Sequence, residues 1–267
     1  MAELLATSTT GPPITALDDG EGPTLLLVHG GAESATSWDG VTRALIDDFR
    51  VVRIVRRLYA PGASIAPTHS MAAEAEDILA IAGLLDPPVL LVGHSSGAVA
   101  ALEAALRAPR MLAGLFLYEP PVPTRSLAGG EAARRAREAL AAGDPREAMR
   151  IHLRDIAQEP AEVVERLTAD LTAGAAFTSK VAAGLADIGA IDALEIGVDR
   201  FRTLDVPTTL VEGDTSPSRL RERLADLAIA LPNARVVTLP GQGHHAHLTA
   251  PETLAGTIRE SAERVFD

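Results

Sequence analysis

Short apolar runs alternate along most of the chain with longer stretches of helical periodicity. Leu25–Val28, Val51–Val55, Val89–Val92, Leu115–Tyr118, Thr208–Val211 and Arg235–Leu239 are brief and largely apolar. Strands covered on both faces read this way, because neither face needs a polar residue. Between them, Met71–Leu85 sets Ile78, Ile81, Leu84 and Leu85 on one side behind Ser70 as an N-cap, and Ser96–Leu106 is small and apolar throughout. Pro217–Leu231 follows Ser216 with proline at the first helical position, and Pro251–Val265 starts after Thr249-Ala250. Strands alternating with helices predict an α/β fold with a mostly parallel central sheet flanked by helices. Leu4–Ser8 and Ile14–Leu17 would add an antiparallel hairpin at one edge.

The interval 122–204 breaks this alternation. It carries no strand pattern but has helical stretches at Gly130–Ala142, Arg146–Gln158 and Ala161–Ala173, and at Ala175–Leu194 one helix or two broken at Gly184 or Gly189. One crossover needs one helix, so this surplus predicts an inserted helical lid over a core made of 1–121 and 205–267.

Composition narrows the functional classes. There is no cysteine, which excludes disulfides, thiolate catalysis and cysteine-ligated metal. A formal charge of -12 repels phosphate backbones, so no nucleic-acid partner is expected. No run reaches the roughly 18 apolar residues of a membrane span. The first residues lack the basic and apolar regions of a secretory signal, so the expectation is a cytoplasmic protein away from membranes. Oligomeric state stays open.

Chemistry concentrates at strand ends. Gly93-His94-Ser95-Ser96-Gly97 follows one strand run directly and opens a helix. That tight turn needs small residues around a serine and lifts its oxygen above the sheet at a helix N-terminus, which predicts Ser95 as a nucleophile. His29-Gly30-Gly31 ends another strand. An oxyanion needs backbone N–H groups aimed at it, and the amides of Gly31 and Ser96 are the natural pair. Gly30 leaves room for a substrate to approach the backbone.

With the helical insertion and Gly241-Gln242-Gly243-His244 near the end, these motifs together resemble the α/β-hydrolase superfamily over nearly the whole chain, in its serine-nucleophile form. The resemblance implies a general base on the loop after the last strand, hence His244, with His245 and His247 as neighbouring alternatives. In the commonest family pattern the acid stands three residues beyond a glycine after the strand Thr208–Val211. Here that position is Ser216, which carries no charge, while Asp214 lies one residue past Gly213. A second arrangement, similar to glutamate-using haloalkane dehalogenases and to lactonases of the zearalenone-degrading type, places the acid after Leu115–Tyr118, where Glu119 stands. Glu119 is the preferred acid and Asp214 the alternative. Relatives often read Asp-Arg-Arg-Gly where this chain has Val55-Arg56-Arg57-Leu58, within a loop running to Ser64.

The resemblance therefore implies a carboxylic-ester or lactone hydrolase acting on a small, largely apolar molecule, with no cofactor and no metal. Phe177 in the lid and Tyr59 near the entrance would meet the substrate, while Trp38 either borders the pocket or packs the first helix. C–C bond hydrolysis, perhydrolysis, rearrangement of a secondary metabolite and non-catalytic ligand binding are the alternatives on the same fold.

Overall fold

The computed structural model describes residues 2–7, 12–60, 62–63, 65–66, 69–169 and 174–267. Pro61, Ser64, Ala173 and Ser8, which fall within segments discussed above, lie outside them. The strands are β1 (Ala2–Ala6), β2 (Ile14–Asp19), β3 (Thr24–Val28), β4 (Arg50–Val55), β5 (Val89–His94), β6 (Leu112–Tyr118), β7 (Thr208–Gly213) and β8 (Ala234–Leu239). Among the described residues they form one eight-stranded sheet in the order β1-β2-β4-β3-β5-β6-β7-β8. β1 and β2 pair antiparallel at one edge, and every other pairing except β2–β4 is parallel.

The apolar runs are continuous because the period of two sends alternate residues into different cores. Leu26, Val28, Val52, Ile54 and Leu91 point to the side covered by α2 (Met71–Ala82) and α3 (Ser96–Arg107). Leu25, Leu27, Val51, Leu90 and Val92 point to the side covered by α1 (Asp39–Arg43) and by the C-terminal helix Pro251–Phe266. Ser70 caps α2, its Oγ accepting from Ala73 N at 3.1 Å. Pro217 stands just before the helix Ser218–Ala230 with extended ψ 135, not at its first helical position.

Between β6 and β7 lie α4 (Gly130–Ala141), α5 (Pro145–Ile151) continued by a π-type turn over His152–Ile156, α6 (Ala161–Ala169) and α7 (Ala175–Asp192). This is an α/β-hydrolase fold carrying a helical lid. α7 is one helix through Gly184 and Gly189. Ala136, Ala148, Ile151, Val181 and Leu185 make a small core within the insertion. Ile188 and Ile191 of α7 instead join the main core, so this helix is docked on the sheet assembly. Its last residue, Asp192, accepts from the amides of Ala128, Gly129 and Gly130 at 2.7, 3.0 and 2.7 Å, supplying the acceptors that the start of α4 lacks. The lid arginines Arg134, Arg135, Arg150 and Arg154 pair with Glu131, Asp155, Glu147 and Asp155 on exposed faces. Among the described residues no helix is long and apolar enough to cross a membrane.

Candidate active site

Loops at the carboxyl ends of β3, β5, β6 and β8 meet at a cavity of about 340 Å3 roofed by the lid helices. Gly31, Ala32, Glu33, His94, Ser95, Ser96, Pro121, His244 and His245 line it from the core. Met149, His152, Leu153, Ile156, Phe177, Lys180, Asp187 and Ile188 line it from the insertion.

Ser95 sits between β5 and α3 with φ 51 and ψ -126. A side-chain-bearing residue at positive φ costs about 1–3 kcal/mol and persists only where its surroundings hold it. Here Ser95 N donates to Tyr118 O at 2.9 Å, and Ser95 O accepts from Ala98 N at 2.9 Å. The flanking glycines are steric requirements. A Cβ on Gly97 would lie 2.4 Å from His29 O and 2.5 Å from Val28 O, and one on Gly93 would lie 2.5 Å from Ala98 Cα. The helix can come this close to β3 only without side chains there.

The loop bearing His244 is held by its neighbours on the sheet. Tyr118 Oη donates to Gly243 O and accepts from Ala246 N. His94 Nε2 donates to His244 O at 2.9 Å. Burial pushes His94 down to about 3, so its ring is neutral at ordinary pH and that nitrogen carries the proton.

His244 Nδ1 lies 2.6 Å from Glu119 Oε2. Glu119 is fully buried at the first position after β6, with φ 47, and its Oε1 accepts from Gly213 N at 2.8 Å. Burial alone would raise this carboxyl, but the His244 hydrogen bond and charge, with the Gly213 amide, hold it below the usual carboxylate range. An ionised Glu119 fixes the proton of a neutral His244 on Nδ1 and leaves Nε2 as the basic nitrogen. Asp214 is elsewhere: it is exposed, and its Oδ1 accepts from Gly241 N at 2.7 Å, tying the loop after β7 to the loop after β8.

Of the four residues expected at the substrate, Phe177 lines the cavity, while Gly30, Trp38 and Tyr59 do not. Trp38 is buried beneath it, stacked on His247 with ring centres 5.3 Å apart. Gly30 is buried against the His94 ring, where a Cβ would meet Nδ1 at 2.8 Å. Tyr59 turns its hydroxyl into the protein, donating to Asp187 Oδ2 at 2.8 Å. Gly31 and Ser96 both line the cavity beside Ser95, with Ser96 in the first turn of α3.

Several lining groups carry no motif. Glu33 is almost enclosed and faces His247 Nε2 at 2.9 Å and His94 Nδ1 at 3.5 Å. Burial opposes its ionisation, yet the His247 contact holds it well below the usual range. His245 pairs with Glu159 of the insertion at 3.1 Å. Burial works against protonation of His245, but Glu159 raises it overall. His152 of the insertion also lines the cavity, and burial lowers it. Their partners lie far away in the chain, so local sequence gives no signal for them. Glu33 with His94 and His247, and His69 with Glu74 and Asp187, are grouped closely enough to hold a cation, but the second group already surrounds the Arg56 guanidinium.

The profile of the alpha/beta hydrolase family matches residues 25–257. Among solved structures, an alpha/beta hydrolase from Sphaerobacter thermophilus superimposes with a TM-score of 0.80 at 26% identity, covering 97% of this chain and 99% of that one. A thermophilic esterase from Thermogutta terrifontis gives 0.77 at 24% identity over 100% of both chains, a likeness of fold. Rat protein phosphatase methylesterase 1 is 37% identical over 107 residues. That stretch covers 37% of this chain and 28% of the methylesterase, less than a third of that relative.

Proposed function

The chain belongs to the alpha/beta hydrolase family, and from that premise we propose that it is a serine hydrolase cleaving a carboxylic ester or lactone of a small, largely apolar substrate. The observation that carries this reading is the 2.6 Å contact between His244 Nδ1 and a buried Glu119 beside a cavity that Ser95 and His244 share. Ser95 Oγ attacks the substrate carbonyl while His244 Nε2 takes its proton, and Glu119 stabilises the imidazolium. The amides of Gly31 and Ser96 receive the oxyanion, aided by the N-terminal end of α3. Collapse expels the alcohol, to which His244 returns the proton, and leaves an acyl-enzyme. His244 then activates water against that ester, regenerating Ser95. Met149, Leu153, Ile156, Phe177 and Ile188 supply an apolar wall for the acyl or alcohol part.

Intact-mass analysis after exposure to a fluorophosphonate tests the reading. One adduct is expected on the wild-type protein and none on Ser95→Ala. A folded wild type that takes no adduct, or a Ser95→Ala variant that still takes one, overturns it.

A further inference from the structure

The expected oxyanion donors are backed by a ring of buried polar contacts that no motif announces. Ser96 Oγ accepts from Arg56 Nη1 at 2.9 Å. The same nitrogen donates to His29 O at 3.3 Å, and Arg56 Nε donates to Glu74 Oε2 at 2.9 Å. Arg56 Nη2 donates to Asp187 Oδ1 at 2.8 Å, and the other Asp187 oxygen accepts from Tyr59 Oη at 2.8 Å. Tyr59 closes the ring at Gly31, where a Cβ would meet Tyr59 Oη at 3.2 Å, Asp187 Oδ2 at 3.3 Å and Ser96 Oγ at 3.4 Å. One contiguous set of contacts therefore stands behind both amides.

Every member of this set but one comes from the core. Asp187 comes from α7 of the insertion, is itself buried, and lines the cavity. Its partners Arg56 and Tyr59 belong to the segment in which this chain departs from Asp-Arg-Arg-Gly. Burial disfavours the Asp187 charge, but the Arg56 guanidinium keeps the carboxylate ionised. Without Asp187, Arg56 keeps Glu74 as a counter-ion, while Nη2 and the Tyr59 hydroxyl both lose their acceptor. Two buried donors are then unsatisfied, and each is driven to turn toward another acceptor. Ser96 Oγ, the His29 carbonyl, Glu74, His69 and the cavity all lie nearby, and because Ser96 Oγ and the His29 carbonyl already share Arg56 Nη1, relaxation moves the wall that fixes the two amides.

We infer that Asp187 is a positioning residue through which the docked lid helix α7 holds Arg56 and Tyr59 against Ser96 and Gly31 and so sets the geometry of the oxyanion hole. The inference rests on the serine-hydrolase reading. It makes the insertion part of the rate-determining machinery and not only a wall of the pocket.

The test compares Asp187→Ala and Tyr59→Phe with Asp192→Ala, using hydrolysis of p-nitrophenyl butyrate, fluorophosphonate labelling rates and thermal unfolding. Asp192 is the matched control, because it lies on the same helix and its loss removes three cap bonds without touching the ring. Displacing an oxyanion donor by a fraction of an ångström should cost less than deleting it, so Asp187→Ala should lose roughly 10- to 100-fold in kcat with KM within threefold. Tyr59→Phe removes one contact and should lose roughly 3- to 10-fold in kcat. Asp192→Ala should lower the unfolding temperature as much or more, with kcat within threefold. A merely loosened lid would raise KM and strike both aspartate variants alike, and that result overturns the inference. So does an Asp187→Ala variant with wild-type kcat. A wild type that takes no label removes the serine-hydrolase reading and this inference together, whereas a labelled wild type with an unaffected Asp187→Ala removes the inference alone.

Discussion

Replacing Glu119 by glutamine separates charge from shape at the pair on which the proposed mechanism depends. The His244 Nδ1–Glu119 Oε2 separation of 2.6 Å puts the centres of an imidazolium and a carboxylate roughly 3.5–4 Å apart. At an effective dielectric of about 20 their attraction is about 4–5 kcal/mol, present when His244 has taken the serine proton and weak when it is neutral. Losing it raises the barrier by that difference, a fall of roughly 10³-fold in kcat. Glutamine adds a second fault. Its oxygen takes over the Gly213 amide that Glu119 Oε1 now accepts at 2.8 Å, which turns the NH2 toward His244 Nδ1. That nitrogen must then accept, so the ring proton moves to Nε2 and the base is lost. The combined loss should fall in the range of roughly 10³–10⁴ seen when a triad carboxylate becomes an amide. Thermal unfolding should shift little, since the volume is unchanged. Asp214→Asn should stay within threefold, because its oxygen can still accept from Gly241 N. The assay is the initial rate on p-nitrophenyl butyrate with the labelling rate in parallel. A Glu119→Gln enzyme within tenfold of wild type, or a slower Asp214→Asn, refutes the assignment of the acid.

Further outcomes follow from packing and protonation. Gly97→Ala drives a methyl into the carbonyls of Val28 and His29, and overpacking of this kind costs about 2–3 kcal/mol, read as a lower urea midpoint together with loss of labelling. A Gly97→Ala protein of wild-type stability would mean that α3 does not approach β3 as described. Stability should also fall in acid. His29 and His94 are held at about 4 and about 3 by burial, so between pH 6 and 4 the unfolded chain binds protons that the native one refuses. Asp77 is raised to about 6 by burial and works the other way, since the native chain keeps a proton there that the unfolded chain releases. Over these three groups the net difference is about one proton, or about 1.4 kcal/mol lost per pH unit as pH falls through this window, and the depressed carboxyls of Glu33 and Glu119 act in the same direction. Urea unfolding at pH 6, 5 and 4 measures it, and a flat or rising stability would contradict the assignment.

The parts that sequence makes legible are those in which neighbouring residues cooperate. Continuous apolar runs identified the parallel strands because each buries both faces, and Gly93-His94-Ser95-Ser96-Gly97 marked the elbow because its steric demands fall within five consecutive positions. Glu119, which the structure places against His244, could be singled out because the resemblance includes an arrangement with a carboxylate directly after β6. The boundary between Pro217 and its helix was misplaced by one residue, since proline is equally at ease with the extended ψ seen there. Trp38 was balanced between pocket and core, and its stacking on His247 depends on a loop more than 200 residues away in the chain. The ring through Arg56, Tyr59, Glu74, Ser96 and Asp187 was invisible for the same reason. Each member is an ordinary polar residue in its own helix or loop, and only tertiary packing makes them one set.

Glu119 also has a consequence for how this scaffold could be remodelled. The carboxylate that meets His244 is anchored on β6 and by the Gly213 amide, so under the proposed mechanism the turn after β7 need supply no acid. The inserted segment begins three residues later, at Val122, after Pro120 and Pro121. Under that mechanism, a lid transplanted from a relative could replace 122–204 without carrying Ser95, Glu119 or His244 with it. Such a graft has to deliver a carboxylate to Arg56 where Asp187 now stands, a partner to His245 where Glu159 now stands, and apolar side chains to the main core where Ile188 and Ile191 now pack, and chimeras that meet these conditions test whether substrate preference travels with the lid.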